Sequence, residues 1–166
     1  MANTYVKIAT VSLASPASFI EFTAIPSTYT DLCLKMSLRG SDSADYGTMS
    51  INGSTTGFTS RRLYGDGSVA QSQSRTDNFL IGFINDSSKT ANTFSNIECY
   101  YPNYLASVNK PFSIDGVVEN NGTTGVEILF AGLWSNTAAI TSLRFTHATA
   151  NFVTNSTATL YGISKS

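Results

Sequence analysis

The run from Asp31 to Arg39 constrains the fold more than any other part of this sequence. Leu32, Leu34, Met36 and Leu38 occupy every second position, and Cys33, Lys35, Ser37 and Arg39 fill the positions between. A period of two puts the first set on one side of an extended chain and the second set on the other, whereas a helix would scatter both around its axis. The segment therefore predicts a strand with one face buried and the other facing water or a partner. Such a strand needs neighbours in a sheet and a second layer over its apolar face.

The rest of the chain offers both. Tyr5 to Leu13 and Ser18 to Thr23 read as the first two strands, the first ending near Pro16. Phe79 to Ile84 and Phe94 to Tyr101 read as strands separated by a polar turn at Asn85 to Asn92. Lys110 to Thr146 parses as three strands joined by Asn120-Asn121-Gly122 and Ser135-Asn136-Thr137, residues that tolerate tight or left-handed turns, which predicts a central β-meander. Ser156 to Ile163 alternates again and forms a last strand that can lie beside the first. Nine or ten short strands with regular turn signals and no helical period predict an all-β fold, a single-domain antiparallel β-sandwich of jelly-roll type over residues 1–166.

Between Gly40 and Asn78 the composition shifts to Gly, Ser, Asp and Thr, broken by short apolar pieces at Met49 to Ile51, Phe58 and Leu63-Tyr64. Asn52-Gly53 is a hairpin signal. The expectation here is a pair of short, irregular strands followed by a mobile loop around Gly65 to Thr76.

Composition narrows the function classes. Charged residues are 13% of the chain, about half the share in an average soluble domain, so hydroxyls and amides carry the solubility. A net charge of −1 does not oppose contact between copies. Nucleic acid is not an expected partner, because phosphate recognition needs clustered Lys and Arg and the densest basic spot is Arg61-Arg62. The first residues hold one lysine and no long apolar core, which predicts no signal peptide, and no run approaches a membrane span. Cys33 and Cys99 lie inside predicted strands without a CxxC spacing and read as buried free thiols.

Several residue groups are candidates for chemistry, each with a plainer reading. Tyr100, Tyr101 and Tyr104 give three tyrosines in five residues, suited to stacking on sugar rings or to packing against a loop or subunit. Trp134, before a Ser-Asn-Thr turn, reads as a lid on the core or as a ligand platform. Arg61-Arg62 can pair with acidic groups of a partner or stay solvated. Glu98, Glu119 and Glu127 are the carboxylates on or beside central strands, where a facing pair would permit acid/base work on a glycoside. His147 lacks sequence neighbours that would complete a triad or a metal site, and reads as a surface or interface residue. The N-x-S/T triplets at Asn52, Asn85, Asn121 and Asn155 are those expected by chance in such a composition, and Asp42, Asp45 and Asp66 lack calcium-loop spacing.

Six blocks in order, MANTYVKIATV, IEFTAIPSTYTDLCLKMSLR, RRLYGDGS, FSNIECYYPNY, GLWSNTAAIT and STATLYGISKS, together resemble a group of small virion structural proteins of tailed bacteriophages. That resemblance implies a jelly-roll subunit of the capsid decoration (cement), head-fibre or receptor-binding-tip kind, usually a trimer. The partners it implies are the major capsid protein or other virion proteins, with a host surface glycan for a tip, and the location is the virion. No catalytic or metal constellation stands out among the residues, so no enzyme, cofactor or metal is expected. In that setting Tyr100, Tyr101, Tyr104, Arg61, Arg62 and Trp134 are the expected interface or ligand contacts.

Overall fold

The computed structural model describes residues 4–78, 81–119, 121–122 and 125–164, with the side chain of Ile81 excepted. Twelve strands are formed among them. The first six are β1 Tyr5–Ser12, β2 Phe19–Phe22, β3 Asp31–Leu38, β4 Tyr46–Ile51, β5 Phe58–Gly65 and β6 Ala70–Arg75. The second six are β7 Ile81–Gly82, β8 Ser95–Tyr101, β9 Lys110–Val118, β10 Val126–Trp134, β11 Leu143–His147 and β12 Thr157–Ile163. Antiparallel pairing arranges them as an eight-stranded sheet, β1-β12-β3-β8-β9-β10-β5-β6, and a four-stranded sheet, β2-β11-β4-β7. The two pack as a sandwich.

The alternation in β3 sets the core. Leu32, Leu34, Met36 and Leu38 are buried on its inner face, beside Ala158 and Leu160 of β12. Ile20, Phe22, Met49, Ile51, Leu143 and Phe145 meet them from the small sheet, and all belong to one apolar cluster. The last strand does lie beside the first, with Tyr5 opposite Ile163 and Ser12 opposite Thr157. Both cysteines are buried and free. Leu34 pairs with Cys99 and Cys33 with Tyr100, so the two thiols project from opposite faces of the sheet and cannot meet.

Burial fades across the large sheet. Along β9 every second residue is buried, from Lys110 through Phe112, Ile114 and Gly116 to Val118. Ile128, Phe130 and Trp134 continue the inner layer on β10 and Phe58 on β5, where Trp134 stacks on Phe58 at 6.3 Å. By β6 no residue is buried. Gly132 shows how tightly β9 and β10 pack: a Cβ there would lie 2.1 Å from the Phe112 ring, which occupies the space the glycine leaves.

Three expectations need correction. The segment 110–146 is not a meander: β9 and β10 pair, but β11 crosses to the other sheet, between β2 and β4. The crossing is fixed from a distant part of the chain. Asn52 donates through Nδ2 to Ala139 O (2.7 Å) and accepts through Oδ1 from the amides of Thr141 (2.8 Å) and Ser142 (3.0 Å).

The second correction follows. Asn52 and Gly53 have φ of 52° and 75°, the left-handed pair of a tight turn, and the turn closes the single bridge Ile51–Ser54. It does not join a hairpin, because β4 and β5 belong to different sheets.

Third, residues 65–76 are not a loop. β5 and β6 form a regular hairpin from Ser60 opposite Arg75 to Gly65 opposite Ala70. Its turn is held by Asp66, whose Oδ1 accepts the amides of Ser68 and Val69, both at 2.9 Å. Of the predicted strand at 79–84, Phe79 and Leu80 lie outside the described residues, and Ile81–Gly82 pairs with β4.

Candidate functional site

The four-stranded sheet covers one face of the large sheet and leaves the other open. Pairing registers align the outward side chains in rows across the strands. One row runs Cys33, Tyr100, Ser113, Ala131, Arg61, Ser74. The next runs Lys35, Glu98, Asp115, Leu129, Leu63, Ser72. In the first row two short side chains, Ser113 and Ala131, stand between two long ones. The result is a trough of about 610 Å³ with Tyr100 on one side and Arg61 on the other.

Tyr100 is tethered. Its hydroxyl donates to Asp31 Oδ2 at 2.7 Å, and Asp31 Oδ1 accepts the Asn103 amide at 2.7 Å. The hydrogen bond to Asp31, lost with the phenolic proton, together with partial burial and the nearby Asp31 charge, pushes the Tyr100 pKa up to about 12. Opposite Tyr100 on the neighbouring strand β3, burial pushes the Cys33 thiol up to about 11, so it stays a neutral thiol. Glu98 pairs with Lys35 Nζ at 2.8 Å, and its carboxylate raises the Lys35 pKa. Asp115 stands directly opposite Glu98 across β8 and β9. Cross-strand Cβ atoms lie about 5 Å apart, so the carboxylate that faces Glu98 is Asp115.

Placement of the expected residues follows the parity of their strands. Tyr101 and Tyr104 do not form an exposed platform: both are fully buried. Tyr101 lies over Phe112 with ring centroids 5.8 Å apart, and the Tyr104 hydroxyl donates to the carbonyl of Pro26. Trp134 is likewise inside the core. These three side chains are closed to any ligand in this fold.

Arg61 and Arg62 are consecutive in β5 and therefore point to opposite faces. Arg61 faces the trough and, among the described residues, donates to its neighbour's carbonyl alone, Ser60 O, at 3.2 Å. Arg62 turns inward, donates through Nε to Gln73 Oε1 at 2.9 Å, and sits 5.4 Å from the Tyr64 ring centre. Burial there lowers its pKa.

Glu119 and Glu127 do not join Glu98. Glu127 is one row away on β10, opposite Val117, and Glu119 follows β9 and accepts the Asn121 amide at 2.7 Å. Asp115 was absent from the carboxylate candidates, although it is an outward position in the alternation of Phe112 and Ile114.

His147 is a correction too. It is buried at the end of β11. Nδ1 accepts the Ala150 amide at 3.1 Å and the Thr149 amide at 3.4 Å. Nε2 lies 3.7 Å from Asp42 Oδ1, too far for a hydrogen bond. Its role is to close the turn after β11. Among the described residues no group of three or more His, Cys, Asp or Glu is placed to hold a metal ion.

The site is thus a sheet-face trough with one fixed tyrosine, a carboxylate, Asp115, that has no hydrogen bond or ion pair among the described residues, the Arg61 guanidinium with one donor in use among them, and a floor of short side chains. Compared with protein-family models, with curated protein sequences and with solved structures, the chain has no significant match.

Proposed function

We propose that this chain is a structural subunit of a tailed-bacteriophage particle, a jelly-roll protein that decorates the head shell as a trimer and cements it through contact with the major capsid protein. The observation that carries this reading is the edge of the large sheet. Strand β6, Ala70-Gln71-Ser72-Gln73-Ser74-Arg75, has no buried residue and one charge. Edge strands that must stay unpaired are guarded by lysines, prolines or inward charges. This one has no lysine or proline, and exposed Leu63 and Val69 stand beside it. It suits a subunit whose free backbone groups and apolar fringe are completed by a neighbour.

Strand order supports the jelly-roll part. With the hairpins β5–β6 and β9–β10 set aside, eight strands remain, as β1-β12-β3-β8 facing β2-β11-β4-β7. Successive strands of that set alternate between the sheets except at β4 and β7, which are neighbours in the small sheet, and the first lies next to the last, the winding of two Greek keys. In this reading the two hairpins are insertions that widen one sheet.

Cementing would act by adding contacts across gaps between shell subunits, so that shell expansion must first break them. Heads lacking this protein provide the test. Purified protein should bind them and raise their resistance to heat, and Ala70→Lys with Gln71→Lys should abolish binding while the fold persists. A protein that is monomeric at micromolar concentration and does not bind heads would overturn the reading.

A further inference from the structure

We infer that the trough between Tyr100 and Arg61 is a binding site for a neutral oligosaccharide. This does not depend on the chain sitting on a particle, and it uses the open face of the large sheet rather than its edge.

Shape comes first. Strands are spaced about 4.8 Å apart, so Tyr100 and Arg61, three strands apart in one row, stand about 14 Å from each other at the backbone. Ser113 and Ala131 keep the space between them open. The walls stand on paired strands, and the Tyr100 ring is already held by the bond to Asp31. Little conformational freedom remains to be lost on binding, which favours weakly interacting ligands such as sugars.

Charge selects among ligands. Lys35 neutralises Glu98, and the free Asp115 carboxylate is balanced by Arg61. A trough with no net charge gives no advantage to phosphate-rich or strongly basic chains. Its bonding capacity is nevertheless large. Asp115 has no hydrogen bond or ion pair among the described residues, and Arg61 uses a single donor.

A saccharide hydroxyl both donates and accepts. Vicinal hydroxyls can donate to Asp115 and accept from Arg61, while a sugar's C–H face lies on the Tyr100 ring. An extended peptide fits less well. On the face of a sheet the strand N–H and C=O groups are committed to the ladder, so strand addition is impossible there.

The test starts with the full-length protein on a printed array of neutral hexosyl, N-acetylhexosaminyl and uronate oligosaccharides. Any neutral oligosaccharide that binds is then titrated against the ¹⁵N-labelled protein. Shifts should centre on Tyr100, Ser113, Ala131 and Arg61. Ala131→Leu, which fills an exposed floor position, should remove binding. Asp115→Asn should weaken it about tenfold, the scale of one lost charge-assisted hydrogen bond. Both variants should keep the wild-type melting temperature and, on the reading above, still bind heads.

Four outcomes would overturn the proposal: no binding to any neutral glycan, tighter binding to uronates, shifts away from the trough, or unchanged affinity in Ala131→Leu. Capture of a peptide at the same residues, with no glycan bound, would also do so.

Discussion

Strands β3 and β6 are both eight-stranded-sheet members, yet they are held in place by different physics. β3 lies between β12 and β8, with Leu32, Leu34, Met36 and Leu38 pressed against the small sheet. β6 has one neighbour, β5, no buried residue, and side chains that bond mostly within the hairpin, as Gln73 does with Arg62. The first strand is fixed by the hydrophobic core and the second by its ladder and turn. Stability should therefore grade across one continuous sheet, and the regions available to a partner lie at its weak end and on its open face.

The largest effect should come from breaking the strong end. Phe145 of β11 is fully buried between Ile20 and Met49 of the neighbouring strands. Phe145→Ala should cost about 3–5 kcal/mol, seen as a drop in the urea midpoint. Leu63→Ala, an equally apolar truncation at a residue that is 60% exposed on β5, should stay within about 0.5 kcal/mol. Hydrogen exchange sharpens the contrast: β3 and β12 amides should exchange only through global unfolding, and β6 amides through local opening. Equal protection in β3 and β6 would mean that the sheet is one cooperative unit.

This gradient also explains what could be read from the sequence. The alternation of β3, β8, β9 and β12 is visible because a buried face forces apolar residues to every second position. β6 has no buried face, so its polar sequence resembles a loop, and only the pairing to β5 makes it a strand. The small-sheet location of β11 was hidden for another reason. Alternation says which face is buried but not which sheet a strand joins, and that choice is made by Asn52 gripping residues 139–142 from far away in the chain.

The misplaced site residues had a readable signal. Tyr101 shares parity with Ile97 and Cys99, Trp134 with Ile128 and Phe130, and His147 with Leu143 and Phe145, all inward. Applying parity residue by residue would have put all three in the core and Asp115 on the open face.

Parity also leads to Lys110, an inward position of β9 that is almost completely buried. Its Nζ donates to the carbonyls of Ala106 (2.5 Å), Val108 (2.6 Å) and Thr137 (3.2 Å), tying together the two loops at that end of the β9–β10 hairpin. Lys110→Met keeps the length and removes the donors. It should cost about 1.5–3 kcal/mol, the range for hydrogen bonds to a charged group, and should raise exchange in residues 103–109 more than in β3. An unchanged midpoint would show that water replaces the ammonium and that the strong region ends before these loops.

The smallest effect is a pH dependence that separates His147 from the exposed carboxylates. Burial holds the His147 pKa below its usual value, outweighing the attraction of Asp42. The unfolded chain therefore binds a proton more readily than the folded one, from about pH 6.5 downward. Stability should fall with pH through that window, because a protonated Nδ1 would face the amides of Thr149 and Ala150 instead of accepting from them, and should level off below the folded pKa, where both states carry the proton. A second loss lies lower. Asp66 is held at about 2 by the amides of Val69 and Ser68, so the β5–β6 turn should loosen as the pH drops below about 3.9. Asp45, raised by burial, offsets part of that second loss. His147→Asn keeps an acceptor near the turn but has no proton to gain, so it should flatten the urea-midpoint profile in the first window and leave the second untouched. If the first window survives in His147→Asn, the slope belongs to other groups and the strong end of the molecule is insensitive to mild acid.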